Sequence, residues 1–207
     1  MAEILSQFKH MVDFDQPSLY VSAASIAFNP TFWNIVARRE HRSRFLTRIF
    51  GGRSQVACYF LAGTIFSLGL LRDFLYERAL RAQPVYPALD QPLYQLAAYG
   101  LIACGNVLVI SSTWALGITG TFLGDYFGIL MDEKVEGFPF NITEAPMYYG
   151  STLSFLGTAL LYARPAGLLL TAHVLLVYLV ALRFENPFTS EIYANRERER
   201  KESKKEM

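Results

Sequence analysis

Charge is scarce in this sequence. Asp, Glu, Lys and Arg make up 18% of the chain, against about 25% in ordinary soluble domains. The shortage is concentrated in five stretches with no charged residue: Gln16 to Ala37, Ser54 to Leu71, Gln91 to Gly124, Ala145 to Ala163 and Pro165 to Leu182. They hold 111 of the 207 residues. One helical bilayer span needs about 20 apolar residues, and a soluble domain does not hold five such runs. The chain is therefore read as an integral membrane protein, which excludes a soluble Rossmann-type enzyme. A net charge of +1 leaves no basic footprint for nucleic acid.

Cysteine and histidine are nearly absent too. Cys58 and Cys104 sit inside apolar stretches and read as small buried core residues, not a disulfide framework or zinc site. His10, His41 and His173 are the three histidines; His173, mid-span, reads as a hydrogen-bonded structural residue. No hydrolase triad, metal-ligand set or P-loop is present. The first 15 residues carry Glu3, Lys9, Asp13 and Asp15 and no apolar signal-peptide core. Insertion is expected to rely on the spans themselves.

The apolar runs predict an all-α membrane protein of four to five transmembrane helices. Asn29-Pro30 interrupts the first run, which reads as a kinked span or a re-entrant segment. Trp33 and Arg38-Arg39 read as an interface anchor. Ser54 to Leu71 is a plain span, with Arg72 to Pro92 expected as a loop, a short helical extension at its start left open. The third run gives a helix over about Leu93 to Leu116, then a segment with four glycines from Gly117 to Gly128. Glycine lets backbone approach a ligand closely, so this segment suits a site more than a span. Arg164-Pro165 divides the last two runs into a C-terminal helical hairpin, Met147 to Ala163 and Ala166 to Leu182. Residues 1–190 read as one domain and 191–207 as a charged tail.

With five crossings, one side holds 14 of the 19 Lys and Arg residues. The positive-inside rule makes that side, with the C-terminus, cytosolic. Lys204-Lys205-Glu206-Met207 resembles a dilysine retrieval signal of the endoplasmic reticulum.

Three polar clusters could meet at the cytosolic edge: Ala103-Cys104-Gly105-Asn106; Gly120 to Gly128 with Asn141 and Tyr148; and Arg183-Phe-Glu185-Asn186. Each has a plainer reading, as a helix-packing face, an aromatic interfacial loop and a solvated carboxylate respectively. Taken together, carboxylates and aromatic faces attract ammonium and sulfonium cations, which suits an amphiphile with an amine headgroup.

Five segments carry a resemblance: Phe28-Asn-Pro-Thr-Phe-Trp-Asn-Ile-Val-Ala-Arg38, Leu116 to Met131, Gly137-Phe-Pro-Phe-Asn141, Pro146-Met-Tyr-Tyr-Gly-Ser-Thr152 and Pro187-Phe-Thr-Ser-Glu-Ile-Tyr193. Over about residues 14–196 the chain resembles the phosphatidylethanolamine N-methyltransferase family, most closely its fungal branch. That resemblance implies a membrane of the endoplasmic reticulum, with a mitochondrial pool left open, and S-adenosylmethionine as cofactor, with no metal. It implies mono- and dimethylated phosphatidylethanolamine as substrates and phosphatidylcholine as product. The family's Gly-x-Gly cofactor motif falls on Ala103, Cys104 and Gly105, and its Glu-Glu pair on Glu185 and Asn186. Glu185 is expected to hold the cofactor's amino group or to accept the substrate proton. Asp125, Tyr148 and Asn141 are candidates for positioning the headgroup, with Phe127, Phe138, Phe140 and Tyr149 as an aromatic box. Two alternatives stay open, a non-enzymatic lipid-binding scaffold and a methyltransferase for prenylated cysteine. Glu144-Ala145 before Pro146 argues against the latter, whose relatives carry Arg-His there.

Overall fold

The computed structural model describes residues 11–132 and 135–203, and no strand occurs among them. The helices described are α1 (Pro17–Ser43), α2 (Phe45–Ile49), α3 (Ser54–Arg81), α4 (Pro92–Thr121), α5 (Pro146–Leu161) and α6 (Pro165–Ser203), with a 3-10 turn at Gly124–Phe127 after α4. By length and composition α3, α4 (with the turn that follows it) and α6 can each cross a bilayer. α5 has 16 residues and rises about 24 Å, less than a hydrocarbon core of about 30 Å.

α1 runs unbroken through Pro30, so Asn29-Pro30 does not break the helix. Asn29, almost fully buried, donates to the Leu68 carbonyl at 3.1 Å and ties α1 to α3. α1 stops at Arg44, whose φ of 49° lies in the left-handed region. The fully buried Glu40 carboxylate then accepts from Leu46 N at 2.7 Å and Thr47 Oγ1 at 2.5 Å. It caps α2 with a charge the helix N-terminus favours.

α3 continues ten residues beyond the expected span. Charge at Arg72-Asp73 marks an edge of hydropathy, not of helix: no breaker occurs before Pro84, and Tyr76, Ala79 and Leu80 are buried. Tyr76 Oη lies 2.9 Å from the Phe155 carbonyl and 3.2 Å from that of Gly167, joining α3 to α5 and α6.

α4 is interrupted at Gly117 (φ 64°, ψ −178°), backbone essentially reserved for glycine; the regular helix ends at Leu116 as its sequence suggests. Against α5 it forms a seam of small residues. A Cβ on Gly105 would collide with the Gly150 carbonyl and Ser154 Oγ, and one on Gly157 would lie 2.7 Å from the Ala98 carbonyl. Close backbone approach of this kind is how membrane helices pack where lipid is as apolar as the side chains.

α5 and α6 form the expected hairpin, turning at Tyr162–Arg164. Cys58 is buried as expected, but Cys104 is exposed, because its side of α4 faces away from the α5 seam. His173 Nε2 lies 3.1 Å from the Ala23 carbonyl, a structural link between α6 and α1. α6 has 39 residues and rises about 58 Å, so it carries the tail as helix through Ser203. The dilysine-like residues 204–207 lie outside the described residues.

Candidate active site

Three helices converge on Glu185. Trp33 Nε1 and Asn34 Nδ2, neighbours on α1, donate to its Oε1 at 2.8 and 2.6 Å. Tyr148 of α5 donates its hydroxyl to Oε2. The carboxylate is half-buried, and three donors fix both of its oxygens. Pro187 removes one helical donor beside it. In the preceding turn Arg38 Nη2 donates to the Phe184 carbonyl at 2.6 Å, with its guanidinium over the Phe188 ring at 4.5 Å.

One helical turn beyond Glu185, Thr189 Oγ1 donates to Asp125 Oδ2 at 3.0 Å. The other oxygen of Asp125 accepts from Tyr126 N at 3.1 Å. The tight 3-10 turn after α4 thus brings a second carboxylate to the same face of α6. Tyr126 stacks on Phe188 at 5.0 Å between centroids, and His41 meets both rings edge-on. Farther along α6, Tyr193 Oη accepts from Met131 N at 3.3 Å and Arg196 Nη1 donates to the Met131 carbonyl at 2.6 Å. These bonds hold the loop after Ile129 across α6.

Glu185, Asn186 and Asp125 line a cavity of about 1570 Å³ bounded by α1, α3, α4, α5, α6 and the loop before α5. Six carboxylates line it among the described residues (Asp73, Glu77, Asp125, Glu136, Glu144 and Glu185), against one guanidinium, that of Arg72. A cavity so lined favours a cationic occupant. Its wall is open on one side. Phe66, Leu70 and Phe74 of α3 line it and are exposed, facing Val109 and Thr113 of α4 across a gap where the two helices barely touch. An amphiphile can therefore enter from lipid. At the opposite end Tyr162 donates to Glu77 Oε1 at 2.5 Å.

The candidate site residues fall into two groups. Glu185, Asn186, Asp125, Tyr148 and Asn141 all line the cavity. Ala103, Cys104 and Gly105 do not: the first two are exposed and Gly105 is buried in the α4–α5 seam. The aromatic box is not assembled. Phe140 lines the cavity, but Phe127 is buried with Ala37, Ala57 and Cys58, and Phe138 and Tyr149 are exposed outside it. Trp33 and Tyr148 are the aromatic groups bonded to Glu185, and Tyr178 meets Tyr148 edge-on. Sequence reasoning missed Asn34 and Tyr178, and treated Trp33 as an interface anchor. Polar and aromatic side chains within charge-free runs were the available signal.

These features define a multi-helix membrane protein with an acidic, aromatic-lined cavity open to lipid. Residues 93–196 match the sequence profile of the phospholipid methyltransferases. The chain is 70% identical over 202 residues to a phosphatidyl-N-methylethanolamine N-methyltransferase of Neurospora crassa, covering 96% of this chain and 94% of that one. It is 52% identical to the Saccharomyces cerevisiae protein of the same name, covering 96% of each chain. It is 50% identical to a human phosphatidylethanolamine N-methyltransferase, covering 88% of this chain and 91% of that one. No solved structure matches. The chain belongs to the phospholipid methyltransferase family.

Proposed function

We propose that the protein is an S-adenosylmethionine-dependent enzyme of the endoplasmic reticulum membrane. Its reaction N-methylates phosphatidyl-N-methylethanolamine and phosphatidyl-N,N-dimethylethanolamine to phosphatidylcholine. The observation that carries this reading is the lateral cavity, lined among the described residues by six carboxylates and one guanidinium, because substrate amine and sulfonium cofactor are both cations. The names of the fungal relatives support the monomethylated substrate.

The lining fits the cofactor. Carboxylates can pair with its amino group, and the faces of Trp33, Tyr148 and Tyr178 suit a sulfonium. When bound, the cofactor supplies a methyl group already activated for transfer. What the chain supplies is position and a path for one proton. The headgroup nitrogen must be neutral to attack, so its ammonium proton has to leave to an acceptor in the site before the N–C bond can form. Glu185, fixed by Trp33, Asn34 and Tyr148, holds the cofactor's amino group or receives that proton. Asp125, held by Thr189 one turn along α6 from Glu185, orients the headgroup with Tyr148 and Asn141. Asn186 offers a neutral hydrogen-bonding group beside Glu185, and Gly105 contributes by letting α4 close on α5. Orientation accounts for most of the rate in such a transfer.

In this reading the chain crosses the membrane five times, with Glu185, Asp125 and the C-terminus at the cytosolic face. The test is methyl transfer to unmethylated, monomethyl and dimethyl phosphatidylethanolamine by purified protein. Transfer to the last two is expected. No transfer to any acceptor, together with no binding of S-adenosylmethionine, would leave a lipid-binding scaffold as the function.

A further inference from the structure

Arg72 is the one guanidinium among six carboxylates in the described cavity lining. Its side chain is only 12% exposed. A cation within a membrane protein is costly and marks function more often than scaffold. Its visible partners do not exhaust it. Nε and Nη2 donate to Asp73 Oδ1 at 3.0 and 2.8 Å, Nη1 donates to the Tyr178 hydroxyl, and the group lies 4.9 Å from the centre of the Phe155 ring. Two of the five guanidinium N–H groups have no acceptor among the described residues. Asp73 is 55% exposed, and pairs with an exposed partner are weak.

Position gives this spare capacity a direction. Tyr178, which holds Arg72, meets Tyr148 edge-on at 4.8 Å, and Tyr148 bonds Glu185. Tyr178 and Glu185 are two turns, about 10 Å, apart along α6. The cavity wall thus runs from carboxylate through two phenols to guanidinium. The headgroup of a phospholipid has the same order, an amine joined by a short ethylene link to a phosphodiester on the acyl side.

We propose that Arg72 binds the phosphodiester of the lipid substrate while the Glu185 end of the cavity receives its amine. This inference rests on the phospholipid-methylating function argued above. Guanidinium and phosphate match as forked donor and acceptor.

The test compares two acceptors in the purified enzyme: phosphatidyl-N-methylethanolamine, and a diacylglycerol ether bearing the same methylaminoethyl group without phosphate. In Arg72→Gln, kcat/KM for the phospholipid relative to the ether is expected to fall at least tenfold. Isothermal titration with the dihexanoyl phospholipid should show a matching loss of affinity. Arg72→Lys, which keeps the charge but not the fork, should fall between the two proteins; it serves alone if Arg72→Gln does not fold. An unchanged acceptor ratio overturns the proposal, whether Arg72 proves structural or holds the carboxylate of the cofactor, because both roles weaken the two acceptors equally. Wild-type protein inactive on both acceptors would instead refute the methyltransferase reading itself.

Discussion

Replacing Glu185 by Gln and by Ala separates the charge at the centre of the site from the bonds that hold it. In the wild type Oε1 takes two donors and Oε2 one. Gln keeps an oxygen for Trp33 and Asn34, and its amide N–H₂ meets Tyr148, whose hydroxyl must turn to accept. Charge-assisted bonds are worth about 1.5–3 kcal/mol and neutral ones about 1, so three weakened bonds cost roughly 3 kcal/mol. Relief from desolvating a half-buried carboxylate offsets part of this, leaving a stability loss of about 1–2 kcal/mol. Ala strands all three donors, each at about 1 kcal/mol or more, for a loss of about 3–5 kcal/mol. Both variants lack the charge, so both should lose turnover at least tenfold, equivalent to about 1.4 kcal/mol. Thermal melting in detergent and methyl transfer to the monomethyl lipid measure the two quantities independently. Turnover of Glu185→Gln within twofold of wild type would remove Glu185 from the mechanism. Turnover that follows melting temperature across the pair would make its role structural.

Three further outcomes test the surrounding geometry. Trp33→Phe removes one donor to Glu185 and leaves the charge; a loss of about 1–2 kcal/mol, or roughly 5–30-fold in kcat/KM, is expected, and a loss equal to that of Glu185→Gln would assign Trp33 more than support. Ala103→Gly completes a Gly-x-Gly pattern at an exposed position outside the cavity, so KM for S-adenosylmethionine should stay within twofold, whereas Gly105→Leu should lower the melting temperature sharply, overpacking costing about 1–3 kcal/mol or more; a tenfold fall in KM for Ala103→Gly would place the pattern at the cofactor. Asn141-Ile-Thr143, in the loop before α5, should stay unglycosylated in microsomes, and a glycan there would invert the proposed topology.

Much of the architecture was legible because its signals are local. Charge-free runs mark the bilayer, Arg164-Pro165 marks the hairpin turn, and Gly117 marks the end of regular α4 because little else tolerates its backbone angles. Hydropathy misplaced the end of α3, since it reports on the solvent around a helix and not on the helix. The site was legible in part. Glu185, Asp125 and Tyr148 stand out as polar groups at a membrane edge, but Trp33 and Asn34 reach Glu185 across some 150 residues of sequence. Only packing of α1 on α6 brings them together. Which way a loop aromatic points is equally non-local, which is why Phe127 is in a core and Phe138 outside.

Packing at Gly105, outside the cavity lining, also shapes the cavity. Gly105, Gly150 and Gly157 let α4 lie backbone to backbone against α5. A helix has limited circumference, and α4, committed to α5 along this face, leaves its other side barely touching α3. That missing contact is the lateral opening of the cavity, lined by Leu70 and Phe74 on one side and Val109 and Thr113 on the other. Enlarging a seam glycine should therefore disturb the groove through which lipid enters as well as the seam. For partially folded seam variants such as Gly105→Ala, KM for the lipid is expected to change more than KM for the cofactor. Equal changes in both would show that the seam sets stability alone.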